Sequence, residues 1–199
     1  MTIRMPWLAL VGAALAIVVA LSPALGVALQ LDRAAVVDGE YWRLLTGHFA
    51  HWSASHFAWD TVAFLSCGAI VELHSRRRFV ATIVGSALAV AVVVLAFAPD
   101  LGFYRGLSGI DSALFVVVIA ILGQRAWAAR SWLADAILVA AGFGFAAKTA
   151  AELVGGRGLF IHPDPDFVVM PMAHFVGAAV GIGIALARAS PGKSLQSSV

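Results

Sequence analysis

Charge is what this chain has least of. Asp, Glu, Lys and Arg make up 12% of its 199 residues, against about 25% in soluble domains. That leaves too little polar surface to coat a globule in water, which excludes a soluble fold. Cysteine is nearly absent as well. Cys67 stands alone among apolar neighbours, so there is no disulfide framework to read and its expected role is packing. The small excess of base, a net charge of +2, is not gathered into a basic helix or an aromatic-interleaved patch, and nucleic acid is excluded as a partner. An internal repeat and a continuous path of polar residues are also missing, which argues against a small transporter or channel. Nor is there a linker long enough to divide the chain. One domain is expected over residues 1–189, followed by a polar tail, 190–199, expected to be disordered.

What fills the chain instead is long apolar runs: 61% of the residues are hydrophobic. Six of these runs are long enough to cross a hydrocarbon core of roughly 30 Å at 1.5 Å per residue. They cover about Trp7–Leu29, His56–Leu73, Phe79–Ala98, Ser108–Trp127, Trp132–Val154 and Pro171–Arg188. Arg4 and the small residues near Ala24 suggest a signal peptide. However, the first run is too long for one and further runs follow, so a retained helix is expected. The reading is an all-α integral membrane protein with six spans. Arg4, Arg76, Arg77, Arg78, Arg125, Arg130, Arg188 and Lys193 fall on one side of that layout, and Arg33, Arg43, Arg105 and Arg157 on the other. The richer side is expected in the cytoplasm together with both termini. The loops at 30–55, 99–107 and 155–170 then face outward.

Chemistry is expected on that outer side. Tyr104-Arg105-Gly106-Leu107-Ser108-Gly109 opens the fourth span. A serine in the first turn of a helix is most often an N-cap, and Gly-x-Ser-Gly alone is a weak signal. A partner strengthens it. His174 lies at the outer end of the sixth span, in Ala173-His174-Phe175-Val176-Gly177-Ala178-Ala179-Val180-Gly181, and an ionisable residue inside a span is functional by default. Gly177 and Gly181 form a stripe that admits another helix closely, and His174, three residues earlier, projects from roughly the same face. The topology brings Ser108 and His174 to one edge of the membrane, where imidazole can take the serine's proton.

With these motifs in place, the chain from Tyr41 to Gly183 resembles the rhomboid intramembrane serine proteases. That family carries Gly-x-Ser-Gly at the start of its fourth helix and Ala-His-x-x-Gly-x-x-x-Gly in its sixth. A Trp-Arg pair followed by histidines matches Trp42-Arg43 with His48, His51 and His56. A His-x-x-x-Asn followed by Glu matches His56 to Asp60 and Glu72. The Tyr104–Gly109 run and the Lys148/Glu152 pair resemble the rhombosortases within it. The resemblance implies Ser108 as nucleophile and His174 as general base, a dyad that needs water and no cofactor or metal. It implies an oxyanion site from the Ser108 amide and His56, with Asp60, Leu107, Gly106, Gly109 and Asp111 lining it. Implied partners are the lipid bilayer and single-pass or C-terminally anchored membrane proteins, cut near the outer end of a span. The implied location is a bacterial inner membrane with the site facing the periplasm.

Two positions depart from the family. Asp60 stands where an Asn is usual, and an ionised carboxylate would repel an oxyanion, so it is either protonated, turned elsewhere, or an impairment. Ser112 stands where many members have a Tyr stacked under the histidine, leaving His174 to be held otherwise; Asp111 is one candidate. These departures support an alternative, a catalytically inactive rhomboid-like protein that binds membrane clients. Among the remaining residues, His48 and His51 are expected to scaffold the first loop. Trp42 and Tyr41 suit an interfacial belt, with Arg43 holding that loop against headgroups. Lys148 and Glu152 share a helix face and should pair with each other or a neighbour, and Glu72 is expected to fix helix packing. His162-Pro163-Asp164-Pro165-Asp166 reads as a stiff connector.

Overall fold

The structure, a computed structural model, describes residues 4–155 and 170–187. The tail after 190, the His162–Asp166 connector, Arg157, Arg188 and Lys193 lie outside the described residues. Within them the chain is almost entirely helical. Four helices are long and apolar enough to cross a membrane: α5 (Ala54–His74), α6 (Arg76–Phe97), α7 (Ser108–Ala128) and α8 (Trp132–Gly155). Their 21 to 24 residues correspond to roughly 31–36 Å. Each lies within a few residues of the apolar run that predicts it, because turn or capping residues close the runs. Ser53 and Ser75, for instance, cap α5 and α6 through side-chain oxygens that accept from His56 and Arg78 amides.

The first run departs from expectation. It is not one straight helix but α1 (Trp7–Ala20) and α2 (Pro23–Leu29), bent by 115°. Proline lacks an amide hydrogen and its ring clashes with the carbonyl four residues back, so α1 cannot continue through Pro23. Ser22 caps the new helix by accepting from the Leu25 amide at 3.4 Å, with Pro23 at its first position. The last helix, α9 (Pro171–Leu186), has 16 residues, roughly 24 Å. Hydropathy counts apolar residues but carries no direction, so a sharp bend leaves its signal unchanged.

α1 packs on α5 through small residues. Ala9, Ala13 and Ala16 are buried against Phe64 and Val71. At the far end of α5 from Ser53 the Glu72 carboxylate accepts from the first amides of α1, Leu8 at 3.2 Å and Ala9 at 2.9 Å. Those amides have no partner in their own helix.

The segment after α2 is built by caps. Arg43 and Thr46, on the short α4 (Arg43–Thr46), serve the carbonyls that end α2: Arg43 Nη1 donates to Val27 and Gln30, and Thr46 Oγ1 to Leu29. Arg43 also pairs with Glu40 at 2.6 Å. The arginine expected to face headgroups therefore works inside the loop, where unsatisfied carbonyls are nearer. Tyr41 and Trp42 stay exposed. Arg33, opening α3 (Arg33–Val37), does the same for α6. Its guanidinium donates to the carbonyls of Leu95 (2.7 Å), Val94 (3.0 Å) and Ala98 (2.8 Å), a cation at a helix C-terminus. Two short strands, β1 (Leu31–Asp32) and β2 (Phe103–Tyr104), pair antiparallel with Leu31 opposite Tyr104. They join the segment after α2 to the one that leads into α7. Of the four long helices α7 is the most buried and α8 the least.

Candidate active site

The turn into α7 depends on one glycine. Gly106 has φ +129°, and a Cβ there would sit 2.8 Å from the His56 ring, so only glycine fits. Leu107 follows as the N-cap without a side-chain cap bond, and Ser108 is the first residue of the helix proper. The N-cap role open to Ser108 is therefore not the one it takes. Ser108 is half-buried, and its hydroxyl lies near the phenol of Tyr104, which donates to the Gly106 carbonyl at 3.3 Å. Burial pushes the Tyr104 phenol above its ordinary value of 10, so this hydroxyl keeps its proton. Tyr104 is one of two tyrosines in the chain, yet nothing in the motif marks it as a neighbour of the serine; the contact arises from the turn.

The loop is held from beneath by Asp60, buried on α5. Its Oδ2 accepts from the Leu107 amide at 2.8 Å and lies 3.2 Å from His56 Nε2 and 3.4 Å from His51 Nε2. One amide donor and two imidazole rings converge on that oxygen, which fixes its direction. Of the three alternatives for Asp60, the geometry is that of a group turned into the loop as an anchor. His56, expected to serve an oxyanion, has its Nε2 beside this carboxylate. The amides of Ser108, Gly109 and Ile110 are the first-turn donors of α7.

His48 and Arg105 lock the same loop from the side. His48 is buried, its ring nitrogens facing the carbonyls of Gly106 (3.3 Å) and Ala87 (3.0 Å); burial pushes its pKa below the ordinary 6.5. Arg105 donates to Gln30 Oε1 at 2.8 Å and stacks over Trp52, 4.4 Å from the ring centroid.

α9 meets α7 at the serine. Gly177 presses its Cα face onto the Gly109 carbonyl, and a Cβ on Gly181 would lie 2.6 Å from the Ala113 carbonyl oxygen. A Cβ on Gly109 would in turn approach the Ala173 carbonyl to 3.1 Å. Ser108 and His174 thus flank touching residues on adjoining first turns, as the Gly-x-x-x-Gly spacing implies. No hydrogen bond joins them in this arrangement. The serine hydroxyl lies near Tyr104, while His174 Nδ1 lies 3.4 Å from Glu152 Oε2 on α8. That same oxygen accepts from Lys148 Nζ at 2.8 Å. Ser112 donates back to the Ser108 carbonyl at 2.7 Å, tucked against its own helix. The carboxylate beside His174 is therefore Glu152, the candidate the sequence had paired with Lys148. Asp111 is buried without a hydrogen-bond partner and is not the group that holds His174.

Among curated proteins, none matches this chain. Against family models, residues 38–191 match the Rhomboid domain. That stretch runs from the end of α3 through α9 and contains Asp60, Ser108, Glu152 and His174. The chain belongs to the rhomboid family.

Proposed function

We propose that this protein is an intramembrane serine endopeptidase, and the observation that carries the reading is the α7–α9 contact. Ser108 begins its helix with its hydroxyl unused for capping, and His174 stands on the neighbouring turn, across a contact that only glycines permit. Rhomboid proteins are generally intramembrane serine proteases, although inactive members exist. In the reaction, Ser108 Oγ attacks a substrate carbonyl as its proton passes to His174 Nε2. The oxyanion is received by the first-turn amides of α7, at the positive end of the helix dipole. His174 then gives the proton to the leaving amine, an acyl-enzyme forms, and water, activated by the same imidazole, releases it. For this step the Ser108 hydroxyl leaves the side of Tyr104 and turns to His174.

The substrate class that suits a site at the outer edge of a span is a membrane-anchored protein cut near the end of its transmembrane segment. The Tyr104–Gly109 run and the Lys148/Glu152 pair favour C-terminally anchored clients of the rhombosortase kind. Six crossings follow if the bent pair α1–α2 and the short α9 each traverse the bilayer, with both termini cytoplasmic and the site facing the periplasm of a bacterial inner membrane. The second reading, an inactive client-binding protein, draws on Asp60, a carboxylate beside the oxyanion position.

The test is covalent labelling of the detergent-purified protein with a fluorophosphonate probe. Wild type should label, while Ser108→Ala and His174→Ala should lose roughly 10⁴-fold or more in rate. A folded wild type that does not label would sink the protease reading in favour of the inactive one.

A further inference from the structure

Intramembrane carboxylates are costly and need a reason to be there. Glu152 is buried in the upper half of α8, and its Oε2 serves two cations or potential cations at once: Lys148 Nζ at 2.8 Å on its own helix and His174 Nδ1 at 3.4 Å on α9. An i, i+4 pair needs only α8 to neutralise itself. The oxygen that completes this pair is nevertheless the one aimed across at α9. The charged and titratable groups around His174 are Lys148 and Glu152 from α8 and Asp60 and His56 from α5. Of these, Glu152 is the one recorded within ion-pairing distance of the ring, and Asp60 already serves the Leu107 amide.

We propose that Glu152 is the positioning residue for His174, which converts a serine–histidine dyad into a serine–histidine–glutamate arrangement in which Lys148 balances the acid at rest. This rests on the protease reading. A carboxylate facing Nδ1 selects the tautomer with its proton there, leaving the Nε2 lone pair for the serine proton. When Ser108 Oγ bonds to the substrate carbonyl, its proton moves to Nε2 and the imidazolium gains a counter-charge at Nδ1. That proton leaves again with the amine, so Glu152 and Lys148 neither gain nor lose one. At 3.4 Å and without hydrogen-bond geometry the contact is electrostatic at rest. Such contacts tighten when the charge develops. The half-exposed Lys148 head, against the buried Glu152, can retreat toward water as the imidazolium forms.

Glu152→Gln keeps the volume and an oxygen for Lys148 but removes the charge. It should slow fluorophosphonate labelling and kcat for a transmembrane reporter by roughly 10–100-fold, with KM and melting temperature close to wild type. Lys148→Gln, which leaves the acid in place, should slow labelling less than Glu152→Gln does; an equal or larger loss would overturn the role given to the carboxylate. If wild type labels and needs both Ser108 and His174, yet Glu152→Gln labels at the wild-type rate per folded molecule, the positioning role is wrong while the protease reading stands. If wild type itself does not label, the protease reading has failed and this inference fails with it. Should Glu152→Gln unfold, Glu152→Asp is the variant to read: partial labelling supports the role, and a wild-type rate overturns it.

Discussion

Replacing Gly177 by alanine adds one methyl group where α9 crosses α7. The new Cβ would overlap the Gly109 carbonyl oxygen. Both groups are backbone-fixed, so no side-chain rotation relieves the clash and the helices must part. At Gly181 the corresponding approach is 2.6 Å. Restoring the ordinary 3.4 Å there needs a shift of about 0.8 Å (3.4 minus 2.6), and Gly177 needs more. His174 lies one turn away on the same face and moves with the helix, while Ser108 stays with α7. A displacement of about 1 Å between reacting groups costs on the order of 100-fold in rate, and overpacking of this kind destabilises by about 1–3 kcal/mol. Gly183 is the internal control. It lies on the same helix with nothing within 4 Å of its would-be Cβ, so alanine there should be neutral or stabilise by about 0.5–1 kcal/mol. The assay is the fluorophosphonate labelling rate per folded molecule, with thermal unfolding in the same detergent. Gly177→Ala labelling within twofold of Gly183→Ala would refute the idea that this crossing sets the serine–histidine geometry.

Two further outcomes follow from the loops. Arg33→Ala removes the donor shared by the carbonyls that end α6, and should cost about 2–4 kcal/mol, read as a lower melting temperature with loosening confined to the outer loop in hydrogen exchange. An unchanged melting temperature would show that water replaces the guanidinium without loss. His48 gives a pH dependence. Its folded pKa lies below 6.5 because burial disfavours the charged form. Its contribution to stability is therefore complete above pH 6.5 and is lost as the pH falls through the folded value. The gap in melting temperature between pH 7.5 and pH 5 should narrow in His48→Gln; an equal gap in the variant would exclude His48 as a source.

The long helices were legible in the sequence because their runs are closed by turn or capping residues such as Ser53, Ser75 and the Gly106–Ser108 turn. The 115° bend was not, although Ser22-Pro23 carries the signal, a cap followed by proline. The serine and histidine were legible as neighbours through the glycines between them, since Gly-x-x-x-Gly describes a helix face and a closest approach. What stayed hidden are contacts set by the rotation of one helix against another. Lys148 and Glu152 read as a pair along α8, but nothing in their spacing shows which of Glu152's sides meets α9. Asp60 reads as a repulsive substitution when only the reaction is considered. Its partner, the Leu107 amide, lies 47 residues away, and a backbone donor leaves no trace in side-chain chemistry.

Glu72 also bears on the order of assembly. A carboxylate on α5 and the first amides of α1 are each costly in hydrocarbon when alone. Meeting one another at 2.9 and 3.2 Å, with the Arg76 guanidinium also 3.4 Å from the carboxylate, they lower both costs in one step. α1 and α5 both precede the serine in the chain, so their pairing has a driving force of its own before α7 is synthesised. The segment carrying Ser108 would then enter a platform whose first contact is already made.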